Sequence, residues 1–260
     1  MKKNISQRFI LVSLILLMFS SGLLAQRQFD SHKSGSIWRH WYVKADIGAT
    51  ALFGDISTYD SDPFKKLKYE SKFAYSATVG KWVTDWGGAE FTFSMGKLKG
   101  IRGSLEANTE YLQYTFVGRV NITQLIYPSD AQTPFYFYAK LGYGLIDFNA
   151  ILTNVDTGDT IRMQGANTPH DKRVTEWVIP FGFGGTYNID ENFSIVFDAT
   201  YHYVDTDKLD GKYISSEVDY NDNKDAYVYL SIGVQYTFNI KETYGGFKSS
   251  RSKRNKRWTR

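Results

Sequence analysis

The chain has 260 residues, a formal net charge of +4 and no cysteine, which excludes disulfides, iron–sulfur clusters and zinc–thiolate sites. Aromatic residues make up 17% and glycines number 22, yet the mean hydropathy is only −0.37, a balance that suits strands interleaving apolar and polar positions. Charge is uneven: residues 26–240 sum to −6 and residues 241–260 to +7, an acidic body followed by a basic tail.

The first residues read as a secretory signal. Lys2, Lys3 and Arg8 precede an apolar run from Phe9 to Phe19, and Ala25 is a suitable last residue before cleavage. The run is shorter than the ~20 residues a bilayer-spanning helix needs, so residues 1–25 are assigned as a leader rather than an anchor. Residues 26–40 then form an N-terminal periplasmic segment.

From Tyr42 onward, alternation of period two dominates. The first segment, about 42–55, sets Val43, Ala45, Ile47, Ala49, Ala51 and Phe53 against Lys44, Asp46, Gly48 and Thr50. Similar segments follow at about 72–84, 87–98 and 109–125, the last placing Leu112, Tyr114 and Phe116 opposite Gln113, Thr115 and Arg119. The second half repeats the pattern at about 135–151, 175–188, 192–204 and 225–239. Eight is an even count, as bacterial single-chain membrane barrels require. Pro180 removes a ladder donor from its segment, which predicts a bulge or another strand irregularity there, a bulge being the simpler form.

Connections alternate in length. Residues 84–87, 127–134 and 188–192 are short and turn-like, whereas 56–71, 98–109, 152–174 and 205–225 are long and polar. That rhythm belongs to outer-membrane barrels, with short turns on the periplasmic side and long loops outside. A soluble barrel of lipocalin type also alternates, but it faces its apolar residues inward. Here the apolar parity is too bulky for an eight-stranded lumen, and aromatic residues gather near segment ends (Trp41, Tyr42, Trp82, Trp177, Tyr227 and Phe238 among them), where interfacial girdles lie. The predicted fold is therefore all-β: an eight-stranded antiparallel up-and-down transmembrane β-barrel over residues 41–240, in the cell outer membrane, with a basic periplasmic tail at 241–260.

Three stretches carry a likeness to a known family: Ala51-Leu52-Phe53-Gly54-Asp55, Val79-Gly80-Lys81-Trp82 and Pro180-Phe181-Gly182-Phe183-Gly184. Together with the aromatic end Tyr236-Thr237-Phe238, they resemble the outer-membrane β-barrel domain family, which includes OmpA-type and OmpX-type barrels, in a Bacteroidetes-like form. The likeness implies a monomeric barrel among outer-membrane lipid and lipopolysaccharide; its motifs speak to fold and location far better than to function. The 20 residues 241–260 are too short for the peptidoglycan-binding domain that follows many OmpA-type barrels. A weaker likeness is to small barrels that accompany a secretion apparatus.

The polar parity collects Lys44, Asp46, Glu90, Arg119, Lys140, Glu176, Asp198 and His202. In a narrow lumen such charges must pair, because an unpaired buried ion is costly. The expectation is a structural network that fills the barrel; a gated pore or a proton-responsive His202 is the functional alternative. No catalytic group, cofactor or metal site is assigned. His202 and Asp198 are four residues apart on one strand, about 13 Å, and no histidine pairs with a serine and an acid as nucleophilic catalysis needs. The acidic stretch 205–225 lacks the glycine and distal glutamate of an EF-hand loop. Arg251, Lys253, Arg254, Lys256 and Arg257 offer a contact for an acidic partner or lipid headgroups, with no nucleic acid expected in an exported protein. Function is thus expected to be non-enzymatic, structural or partner-binding through long loops or tail. The alternatives are an accessory subunit of an outer-membrane secretion or assembly machine, and a lipid A-modifying enzyme.

Overall fold

The computed structural model describes residues 40–127, 134–164, 173–190, 192–211 and 224–238. The leader 1–25, nearly all of segment 26–40 and the tail 241–260 with its arginines and lysines lie outside the described residues. In chain order the elements are β1 (Trp41–Phe53), α1 (Pro63–Tyr69), β2 (Ser71–Trp82), β3 (Gly87–Arg102), β4 (Leu105–Asn121), α2 (Ile122–Ile126), β5 (Phe135–Asn154), β6 (Thr160–Gln164), β7 (Val174–Asn188), β8 (Phe193–Val204) and β9 (Ala226–Thr237).

Each long strand pairs antiparallel with its neighbour in sequence, β4 with β5 and β5 with β7 included, and β9 returns to β1 through Tyr42↔Thr237 to Phe53↔Ala226. The eight-stranded ring is closed, so every ladder has two neighbours and no edge faces lipid. β6 stands outside the ring: it pairs only with Ala150–Thr153 of β5, above the point where β5 leaves β7. This short hairpin falls inside a stretch that the sequence reads as loop, since five residues carry too little alternation to register as a strand.

Side-chain parity follows the alternation in the sequence. Val43, Ile47, Phe73, Tyr75, Phe91, Phe116, Leu141, Phe183, Phe197 and Ile232 are exposed on the outside, while Lys44, Asp46, Thr78, Glu90, Gln113, Thr115, Asp198 and Gln235 are buried within. An outer surface of large apolar groups around a buried polar interior is what a barrel immersed in lipid requires.

Local chemistry sets the connections. After β2, Val83 and Thr84 donate their amides to the carbonyl of Gly87, and Gly87 N–H donates to Thr84 Oγ1 at 2.8 Å. Between β7 and β8 the Asp190 carboxylate accepts from the amides of Asn192 and Phe193 at 2.8 and 2.7 Å, and these donors hold it below the usual carboxylate range. Asp62 caps α1 by accepting from Lys65 N–H at 3.1 Å, with Pro63 at the first helical position. α2 begins the β4–β5 connection with Asn121 as its cap, although the alternation in the sequence predicts strand to about residue 125.

Pro180 makes no bulge. The register of β7 on β5 is the same on both sides of it, Leu141↔Phe181 and Gly144↔Val178, and the ladder lapses only between them. Pairing with β8 runs through Pro180↔His202 without a shift. The missing donor is accommodated by a local gap in one ladder, in a place where Gly142 and Gly144 face the interior.

Candidate functional site

The interior is stacked in layers, beginning at the short-turn end with Arg119 of β4. Its guanidinium lies 3.5 Å from the centroid of Tyr138, with Trp82 at 5.2 Å and Tyr42 at 5.6 Å. It donates to Thr186 Oγ1 at 3.0 Å and Gln235 Oε1 at 3.2 Å. The two tyrosines have matching seats. Tyr42 is paired across the ladder with Gly80, and Tyr138 with Gly184. A Cβ at either glycine would stand 2.3 Å from the ring of its tyrosine. Glycine is thus required at both places so that each ring can lie flat over the neighbouring strand and reach the cation. Tyr42 and Trp82, assigned from sequence to a lipid-facing girdle, belong to this interior cluster instead; Tyr42 has the even parity of Lys44 and Asp46, and Trp82 packs against Tyr136.

The next layer is the charge network. Asp198 on β8 receives Lys44 Nζ from β1 at 2.6 Å, Lys140 Nζ from β5 at 2.8 Å and the Tyr138 hydroxyl at 2.6 Å. Lys44 also reaches Asp46 at 3.3 Å, and Asp46 accepts from Ser76 at 2.5 Å and from Tyr229 at 3.0 Å. Glu90 lines the same residual cavity, whose volume is about 30 Å³. The structure therefore brings together Lys44, Asp46, Lys140 and Asp198, with Glu90 and Arg119 buried beside them. Glu176 is not among them. It sits at the long-loop end, half-buried, with Lys208 3.9 Å away, because β7 carries it above the level of Pro180.

His202 occupies the third layer. Its ring stacks on Tyr227 with centroids 4.4 Å apart, and its Nδ1 lies 3.0 Å from Gln113 Nε2; Tyr227 is thus a third girdle candidate that lies inside the barrel instead. Tyr227 in turn donates to Gln113 Oε1.

Above this the lumen turns apolar, in contrast to the polar filling expected from the sequence. Leu52, Leu98, Tyr111, Ile146, Phe148, Val178, Val204 and Leu209 form one buried cluster. Its signal was present in the parity, since Ile146 and Phe148 continue the inward series of Tyr138 and Lys140. The cluster is topped by the turn Thr206–Gly211, which enters the mouth: Leu209 is fully buried, and its carbonyl accepts from Thr109 Oγ1 at 2.6 Å.

The loop after β1 is also built rather than loose. Lys66 of α1 is buried, bonds Asp60 and Glu70 at 2.5 and 3.2 Å, and lies 4.2 Å over the Phe53 ring. Glu70 further accepts from Thr58 N–H at 3.0 Å and Ser57 Oγ at 2.9 Å. Among the described residues no group of three or more histidine, aspartate or glutamate side chains is arranged to hold a metal ion.

Similarity places this geometry in context. Neisserial surface protein A is 15% identical, with a TM-score of 0.44 over 76% of this chain and 97% of its own. The attachment invasion locus protein Ail of Yersinia pestis is 15% identical, with a TM-score of 0.42 over 77% of this chain and 99% of its own. The outer membrane enzyme PagL is 12% identical, with a TM-score of 0.32 over 76% and 99%. No curated protein matches the sequence significantly. The profile of the outer membrane protein beta-barrel domain matches residues 12–238, which spans every strand of the ring. The chain belongs to the outer membrane protein beta-barrel domain family.

Proposed function

We propose that this protein is a closed, non-conducting and non-enzymatic outer-membrane barrel whose work is structural or partner-binding, done by the surface of its long loops. The observation that carries the reading is the filled interior. An aromatic–cation layer, a charge network and an apolar cap succeed one another along the axis, and the cavity left at the network is about 30 Å³, too small for a file of hydrated ions. The charged residues Lys44, Asp46, Glu90, Arg119, Lys140 and Asp198 act in this reading as a structural filling that fixes strand register. Glu176 and His202 serve the mouth and the layer beneath it.

The exterior of large apolar side chains is solvated by lipid and lipopolysaccharide, and the barrel works as a monomer. The ordered connection from Ile56 to Glu70, pinned by Lys66, supplies a firm surface for a partner. The basic tail, with Arg251, Lys253, Arg254, Lys256 and Arg257, supplies a second contact on the periplasmic side. Planar-bilayer recording tests the closed lumen, and capture of partners with and without residues 241–260 tests the tail; loss of a stable partner on truncation would favour a subunit of a secretion or assembly machine.

Lipid A modification is the enzymatic alternative. Against it stands the setting of His202, enclosed between Tyr227 and Gln113 inside the barrel, on the face of β8 that points away from lipid. Lipid A mass spectra from cells with and without the protein test this; any shift in acyl composition would overturn the non-enzymatic reading.

A further inference from the structure

The helix α1 in the connection after β1 has two faces, because side chains four residues apart align on a helix. Lys66 and Glu70 share the buried face, and Phe64 and Lys68 share the exposed one. The buried face is seated on the outside of the ring. Lys66 Nζ lies 4.2 Å over the Phe53 ring, and Phe53 has the outward parity of Val43 and Ile47. With that face turned to the wall, the opposite one points away from the barrel, over the surface that meets lipid.

Height along the wall follows from the outward residues of the neighbouring strands. On β3 and β4 the outward series climbs through Phe93 and Tyr114, then Met95 and Leu112, and reaches Lys97 and Glu110. That last pair is charged, exposed and joined at 2.7 Å, the change of character expected where hydrocarbon meets headgroups. On β2 the same level falls at Phe73, one residue past Ala74↔Gly96. Phe73 is itself exposed, and Tyr69 of α1 precedes it by only four residues. The helix therefore stands at the headgroup level.

Its exposed face has the composition that this level selects. Phe64 is 86% exposed, more than any other large apolar side chain among the described residues. Beside it on the same helix, Tyr69 stacks on Tyr59 with centroids 5.6 Å apart. At a membrane surface such aromatic groups sink into the boundary between headgroups and acyl chains. Lys68 meets no carboxylate among the described residues, and its Nζ lies 5.2 Å over the Tyr69 ring. Lys65 pairs with Asp62 at 3.3 Å in an exposed contact that another anion can readily replace. Two available ammonium groups beside a bare aromatic ring fit an anion that carries acyl chains.

We propose that α1 is an interfacial anchor whose partner is lipopolysaccharide: Phe64 sinks among the acyl chains of the outer leaflet, and Lys65 and Lys68 meet the lipid A phosphates. The anchor presupposes a lipid-embedded, partner-binding barrel and makes the leaflet the partner of its first long connection. Lys66 fastens the helix to the wall from one side, and Phe64 fastens it to the leaflet from the other.

The chain has no cysteine, so each single substitution takes one spin label. Phe64→Cys, Phe73→Cys and Asp156→Cys place a nitroxide on α1, on the lipid-facing wall and on the exposed turn after β5. The full protein is refolded into phosphatidylcholine vesicles with or without lipid A. Collisions of each label with oxygen, which favours lipid, are compared with those of a water-soluble nickel complex. With lipid A present, the oxygen-to-nickel ratio at 64 should lie near that at 73 and well above that at 156. Lys65→Gln combined with Lys68→Gln should lower it towards the value at 156, and so should leaving out lipid A. A ratio at 64 equal to that at 156 in both vesicles would overturn the proposal, as would a ratio indifferent to lipid A and to both lysines. Shielding from both colliders, with spin–spin broadening, would assign the face to a second copy of the chain and would also overturn it. A water-exposed label at 73 would instead overturn the lipid-embedded barrel itself, which keeps the two failures apart.

Discussion

Lys44 on β1 and Asp198 on β8 meet at 2.6 Å although β9 stands between their strands. The contact therefore bridges over β9 on the lumen side and ties the registers of β1 and β8 together. Asp198 also takes Lys140 and the Tyr138 hydroxyl, so a single carboxylate gathers β1, β5 and β8.

Replacing Asp198 by alanine takes the carboxylate from Lys140 and leaves Lys44 only its longer contact with Asp46 at 3.3 Å. Loss of one partner from such a set costs about 3–5 kcal/mol. The urea midpoint of unfolding from vesicles should drop accordingly, and Asp198→Asn, which keeps an acceptor for Tyr138, should lose somewhat less. A midpoint unchanged within error in both variants would show that the network contributes nothing.

The tyrosine seats make a sharper test. Gly184→Ala places a methyl where the Tyr138 ring lies, and overpacking of this kind costs about 1–3 kcal/mol. Arg119→Lys keeps the charge but loses the planar group that stacks on Tyr138 and the fork that reaches both Thr186 and Gln235, so it too should destabilise, by about 2 kcal/mol. If the two act through one cluster, the double variant should cost less than the sum, which the same unfolding assay measures.

On the outer face, Ile232 of β9 lies opposite Ile47 of β1 and both are exposed. Ile232→Arg should cost about 2–4 kcal/mol in a bilayer, as a charge near the midplane does. The same change on the surface of a water-soluble barrel would fall within about 0.5 kcal/mol. Refolding yield and midpoint in vesicles separate the two.

Lys66→Ala leaves Glu70 buried without its cation. The loop 56–70 should loosen locally and become sensitive to added protease at the cell surface, while boiled and unboiled samples still migrate differently. Protease resistance equal to that of the wild-type protein would show that α1 is held by other contacts.

The ring itself was legible in the sequence because the period is two and one face must meet lipid: Val43, Ala45 and Ile47 announce their face as plainly as Lys44 and Asp46 announce theirs. The lumen was legible by parity but not by partner, since pairing across the ring depends on shear that no single segment records. Tyr42, Trp82 and Tyr227 differ from the girdle expectation because an aromatic residue near a strand end suits either a headgroup or a buried polar partner. Glu176 has the right parity but the wrong height. The apolar cap was hidden by a general expectation of polar interiors, although Ile146 and Phe148 kept the inward parity. Short elements such as α1 and β6 rest on capping and on tertiary pairing, which local pattern does not reveal.

The central claim is that the lumen is sealed, and planar-bilayer recording of the purified, refolded barrel at neutral pH tests it most directly. The expected result is a baseline without unitary steps at protein levels where a known porin opens many. Reproducible steps that disappear in a sample left unfolded would contradict it and would make the residues lining the network a conduction path.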